Sequence, residues 1–129
     1  MNINIVEECA KLSEEEKITF PEVVERLNKA GVESYAVNML VPNKIYYAGN
    51  KAHVVPLKIK AALNVAADFN QDHIVQALHD IQSKKIGYQE FLKLIMEGGV
   101  ISYFVYIKGR KAVYCGKHGE QYTELFPSK

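Results

Sequence analysis

Cys115 and His118 stand three positions apart, a thiol and an imidazole of the kinds that make a nucleophile and its base. Such a pair works only within hydrogen-bond reach. Gly116-Lys117 reads as a turn that carries His118 past the end of a strand holding Cys115, so no catalytic residue is assigned. Asp68-x-Asn70-x-Asp72 opens like a calcium-binding loop. Its sixth position is His73 where glycine is required, and its twelfth is His79 where a bidentate glutamate is required. Cap and turn chemistry accounts for the run. His73 and His79 lie about 240° apart around a helix and cannot chelate one ion from it. His53 and His118 have no identifiable partner, so neither metal nor cofactor is expected. Glu14-Glu15-Glu16 reads as a solvated connection between helices, and Cys9 as a small core residue.

A different chemistry is suggested between residues 104 and 118. Lys108, Arg110, Lys111, Lys117 and His118 fall there with no acid among residues 108–118, whereas residues 1–25 hold seven acids against two lysines. Phe104 and Tyr106 precede this basic hairpin on alternate positions of one strand. Arg110 offers a planar fork to a carboxylate or phosphate, Tyr106 offers stacking area and Phe104 apolar support. The candidate binding residues are therefore Phe104, Tyr106, Lys108, Arg110, Lys111, Lys117 and His118.

The elements that must position them come in a repeated order. Shifting the chain by 68 residues lays 18–42 on 86–110, and leaving Asn43 unpaired lays 44–50 on 111–117. Ten positions are then identical, among them Gly31/Gly99, Ser34/Ser102, Tyr35/Tyr103, Lys44/Lys111, Tyr47/Tyr114 and Gly49/Gly116. Roughly two would be shared by chance. Upstream, Ile5, Val6, Cys9 and Leu12 match Ile74, Val75, Leu78 and Ile81 in the spacing of a helix with one buried stripe. Thr19-Phe-Pro-Glu22 reads as a capping box, and Gly31 and Gly99 as left-handed glycines ending the second helix of each half. Period-2 patterns at 32–39 and 100–107 predict strands with Tyr35/Val37/Met39 and Tyr103/Val105/Ile107 turned inward. Hairpin partners follow at 45–47 and 112–115, with closing strands at 53–57 and 121–126.

The expected fold is α+β: two tandem αα-ββ repeats forming a mainly antiparallel sheet, helices on one face, with pseudo-two-fold symmetry. One domain spans 1–129, its repeats at about 3–57 and 72–126 joined by a linker helix at about 58–71, with Asp72 capping the helix that follows. At 129 residues, 48% hydrophobic and 24% charged, the chain is an ordinary globular one. A net charge of +1 excludes bulk electrostatic capture of nucleic acid. No apolar run reaches the length of a membrane span. With no secretory features at its start, the chain is expected to be cytoplasmic, with Cys9 and Cys115 as free thiols.

Thr19-Phe-Pro-Glu-Val-Val and Gly31-Val-Glu-Ser-Tyr in the first half, with Tyr88-x-x-Phe-Leu, Gly99-Val and Val113-Tyr-Cys-Gly in the second, resemble the YbcV-like family. These are small bacterial and prophage proteins often labelled "phage envelope protein". The resemblance covers nearly the whole chain. It implies no catalytic residues, and leads one to expect an acid where this chain has Asn38. Three functions are ranked. A non-enzymatic binding or protein-interaction module comes first, its partner a protein or a small anionic ligand. A small enzyme acting on an anionic metabolite comes second. Single-stranded nucleic-acid binding comes last because the basic footprint is small. Free sheet edges leave a homodimer open.

Overall fold

The computed structural model describes residues 1–127. Ten elements follow one another: α1 (Ile3–Glu14), α2 (Phe20–Lys29), β1 (Ser34–Asn38), β2 (Asn43–Ala48), β3 (Lys51–Pro56), α3 (Gln71–Gln82), α4 (Tyr88–Glu97), β4 (Val100–Tyr106), β5 (Lys111–Gly116) and β6 (Gln121–Leu125). The six strands make one sheet in the order β3-β2-β1-β4-β5-β6, every neighbouring pair antiparallel. Four helices and an antiparallel sheet make this an α+β fold.

Local chemistry explains where the elements begin and end. At the start of α2, Glu22 Oε1 accepts the Thr19 amide at 3.2 Å and the Thr19 hydroxyl at 2.8 Å. Those two hydrogen bonds hold the Glu22 carboxyl below its ordinary pKa. The helix ends in a Schellman motif, with Gly31 at φ +87° and the Val32 amide reaching back to the Leu27 carbonyl at 2.9 Å. Gly99 sits at φ +88° after α4. It carries a second constraint, because a Cβ there would stand 2.5 Å from the Asp68 carbonyl oxygen.

The strands alternate as a half-buried antiparallel sheet should. Tyr35, Val37, Tyr46, Tyr103, Val105, Ala112 and Tyr114 are buried with Val6, Cys9, Leu27, Ile74, Phe91 and Leu92 from the helices. Both helical pairs thus lie on one face of the sheet, and the other is open.

Three expectations are corrected. No helix joins the halves, since residues 57–70 are irregular. The alanines there have no stripe to bury, and the backbone is secured by α4 instead. Gln89 Oε1 accepts the Lys60 amide at 2.9 Å and its amide nitrogen donates to the Lys58 carbonyl at 2.9 Å. The Ala66 and Asn70 amides donate to the Met96 and Gly98 carbonyls, each at 2.9 Å. Asn70, not Asp72, caps α3, its side chain accepting the His73 amide at 3.0 Å.

The third correction concerns the unpaired Asn43. Register places Tyr35 opposite Tyr46 and Val37 opposite Lys44, just as it places Tyr103 opposite Tyr114 and Val105 opposite Ala112. The turns 39–42 and 107–110 are equal in length, so the shift of 68 continues without a gap. Lys44 corresponds to Ala112, Tyr46 to Tyr114 and Tyr47 to Cys115. A one-residue slip moves every side chain to the opposite face. The matched lysines therefore face opposite ways, Lys44 buried under the helices and Lys111 exposed on the open side.

Candidate functional site

Successive pairings carry side chains in rows across the open face. The middle row runs Val54–Ile45–Ala36–Phe104–Val113–Thr123 through all six strands. It is apolar up to its last member. Beside it runs Ala52–Tyr47–Ser34–Tyr106–Lys111–Leu125, and on the other flank lies the polar row Asn43–Asn38–Ser102–Cys115–Gln121. Ala36 is buried between its neighbours, Phe104 is half-buried, and Val54 and Leu125 are 56% and 73% exposed. Phe104 and Tyr106 stack with ring centroids 6.3 Å apart and planes 20° apart. Asn38 donates its amide to Asn43 Oδ1 at 2.8 Å, completing the polar flank.

Four of the seven predicted residues come together here. Phe104, Tyr106 and Lys111 share the face, and Lys108 stands in the turn beside them. Lys108, Lys111, Tyr106, Glu33, Ser34 and Val113 line much of an open depression of about 540 Å³. Neither lysine makes an ion pair among the described residues. The other three are elsewhere or occupied. The Arg110 guanidinium donates to the Pro127 carbonyl at 2.8 Å and lies 5.7 Å from the centroid of Phe126, tying the end of the chain to the turn. Lys117 and His118 lie past the far end of β5, roughly 17 Å away. Lys117 Nζ donates to the Val65 carbonyl at 3.3 Å, and the His118 ring lies 3.6 Å from Glu120. Burial pushes the Cys115 thiol up from its ordinary pKa, the direction opposite to that of an activated nucleophile.

The covered face holds a polar cluster that the sequence reading passed over. Lys44 is 4% exposed. Its Nζ lies 4.8 Å from the centroid of the Tyr88 ring, and no carboxylate stands within salt-bridge distance among the described residues. Desolvation lowers its pKa from 10.5 to about 8, with Glu14 and Cys9 acting in the opposite sense. Tyr88 and Tyr103 share a 2.9 Å hydrogen bond between their hydroxyls. Tyr35 and Tyr46 lie 5.3 Å apart by ring centroid, Tyr103 and Tyr114 5.1 Å. Burial raises the pKa of all five phenols.

The residues that position this cluster include two of the run expected to be solvated. Glu16 Oε2 accepts the Gln89 amide at 3.2 Å, capping α4 where Tyr88 begins it. Gly87 leaves room for that carboxylate, since a Cβ would fall 1.9 Å from its oxygen and displace the Glu16 side chain. Glu14 Oε1 accepts the Lys58 amide at 3.1 Å, and Gln89 holds the same segment from α4. The signal for Lys44 was present as a charge on the inward parity of β2, but the gap at Asn43 matched it to Lys111 and hid the difference. Ile45 and Val54 were legible as period-2 apolar residues, yet only pairing joins them to Phe104.

Among the described residues no group of three or more His, Cys, Asp or Glu side chains could hold a metal ion, and no helix is long and apolar enough to cross a membrane. The chain is 29% identical over 110 residues to uncharacterised proteins of Mycobacterium bovis (Mb2035) and Mycobacterium tuberculosis (Rv2012). The matches cover 83% of this chain and 66% of each relative, so the chain spans a little under two thirds of their length. Residues 13–124 match the family model described as "Protein of unknown function (DUF1398)", and the chain belongs to that family.

Proposed function

We propose that this protein is a binding module whose open sheet face receives an apolar segment of a partner protein flanked by carboxylates. The observation that carries this reading is the apolar row Val54–Ile45–Ala36–Phe104–Val113, which crosses five strands with no helix over it. Contiguous apolar surface rimmed by polar groups marks interaction sites on soluble domains. The unpaired Lys108 and Lys111 at its edge favour acidic flanks by charge complementarity and steer their approach. Burial pushes the Cys115 thiol up, which disfavours it as the nucleophile of the enzymatic alternative. Kinship with the YbcV-like proteins and descent from a duplicated unit belong to the same proposal. The quoted motifs support the first, and the twice-repeated element order supports the second.

Peptide display against the protein, counter-selected with a folded Tyr106→Ala/Lys111→Glu variant, tests the reading. Enriched peptides should combine apolar and acidic residues, perturb amide resonances in β1, β4 and β5, and bind the variant about tenfold more weakly, or about 1.4 kcal/mol. Perturbations confined to the helices, or equal affinity for the variant, would overturn it.

A further inference from the structure

We propose that Lys44, Tyr88 and Tyr103 form a receiving site for a small oxyanion on the helix-covered side of the sheet. This site is separate from the open face and does not depend on its function. Lys44 is a buried residue whose ammonium rests over the Tyr88 ring and lacks a counter-ion within salt-bridge distance among the described residues. A buried charge in that state is destabilising unless something pairs with it. The hydroxyls of Tyr88 and Tyr103, 2.9 Å apart, share one proton between them and leave the other free to be donated outward. An ammonium and a phenol are donors suited to a carboxylate or phosphate oxygen, and the aromatic surroundings favour a small one.

The rest of the molecule supplies a control. At the corresponding places, Ala112 stands for Lys44 and Phe20 for Tyr88. Ala112 is buried, and Phe20 packs edge-on against Phe126 at 5.7 Å. The same hairpin and the same helix start are therefore built there without a lysine or a second hydroxyl, and the cross-strand neighbour of Ala112 is Glu124. Packing does not require Lys44 or the Tyr88 hydroxyl. Lys44 from the first half and Tyr88 from the second meet where Glu16 and Gln89 fix the start of α4 and the 58–60 segment.

The test is an NMR titration of the Lys44 side chain with acetate, with inorganic phosphate and with chloride, at constant ionic strength. A saturable response at Lys44, Tyr88 and Tyr103 is expected with acetate or phosphate but not chloride, and which of the two saturates names the class of oxyanion. Binding should move the Lys44 titration midpoint upward by at least one unit, about a tenfold coupling. The Lys44→Ala/Tyr88→Phe variant, which copies the Ala112 and Phe20 pair, should fold and lose the response, and Lys44→Met should lose it as well. Non-saturating shifts, equal shifts with chloride, or an unchanged response in either variant would overturn the site.

Discussion

At the start of α4 a tyrosine lies over a buried lysine, and at the start of α2 a phenylalanine packs on Phe126 while an alanine fills the lysine's place in the sheet. The two places share strand register and the inward tyrosine pairs, Tyr35 with Tyr46 and Tyr103 with Tyr114. What they share is what the fold needs: large rings that fill the layer between sheet and helices. What differs is a charge and a hydroxyl, polar groups whose burial costs stability. A lysine and a phenol kept at one of two corresponding places point to use rather than architecture.

Making the two places alike is the strongest challenge to that contrast. Ala112→Lys would put an ammonium at a buried position of β5 opposite Glu124, with no second phenol to receive it. It should destabilise the protein by about 2 kcal/mol or more in urea unfolding. A loss below about 1 kcal/mol would show that the second place tolerates the charge equally, and the contrast would fail.

The pH dependence of stability comes next. Lys44 titrates near 8 in the folded protein against 10.5 unfolded, so between those values the unfolded chain holds more protons and stability rises with pH. The full change is roughly 3 kcal/mol. The buried tyrosines act in reverse, their raised pKa values withdrawing stability above pH 10. The thiols of Cys9 and Cys115, also raised, begin to do so near 9. Subtracting the Lys44→Met curve from that of the wild type isolates the lysine. The difference should shrink as pH rises through 8 towards 10, with the variant the more stable at pH 7. Parallel curves would remove the uncompensated charge.

The smallest effect compares the glycines that close α2 and α4. Both have positive φ, so alanine at either strains the backbone by about 1 kcal/mol. At Gly31 the nearest atoms to an added Cβ are 3.7 Å away, whereas at Gly99 the Asp68 carbonyl oxygen is at 2.5 Å. Gly99→Ala should therefore cost about 2 kcal/mol more than Gly31→Ala in thermal or urea unfolding. Equal losses would mean that the 66–70 segment yields freely and does not anchor α4.

Secondary structure was legible because it is written in local chemistry. The Glu22 cap, the glycines after α2 and α4 and the alternation of Tyr35/Val37 and Tyr103/Val105 each follow from spacing along the chain. The linker 57–70 was not, because its alanines match helix composition while its hydrogen bonds go to Gln89, Met96 and Gly98. Among the seven candidate residues, alternation correctly placed Phe104 and Tyr106 on the open face. Nothing local showed that Arg110 is held by Pro127 and Phe126, or that Lys117 and His118 lie at the opposite end of β5.

The amino-acid sequence by itself determined the elements, the recurrence of helix, helix and strands, and which tyrosines point inward, since periodicity and capping act over a few residues. Only the tertiary structure decided that Lys44 answers to Ala112 and not to Lys111, and that residues from five strands make one apolar row. Both depend on strand register. Identity matching had shifted the hairpin partner by one residue, and in a pleated sheet one residue is the difference between the covered face and the open one.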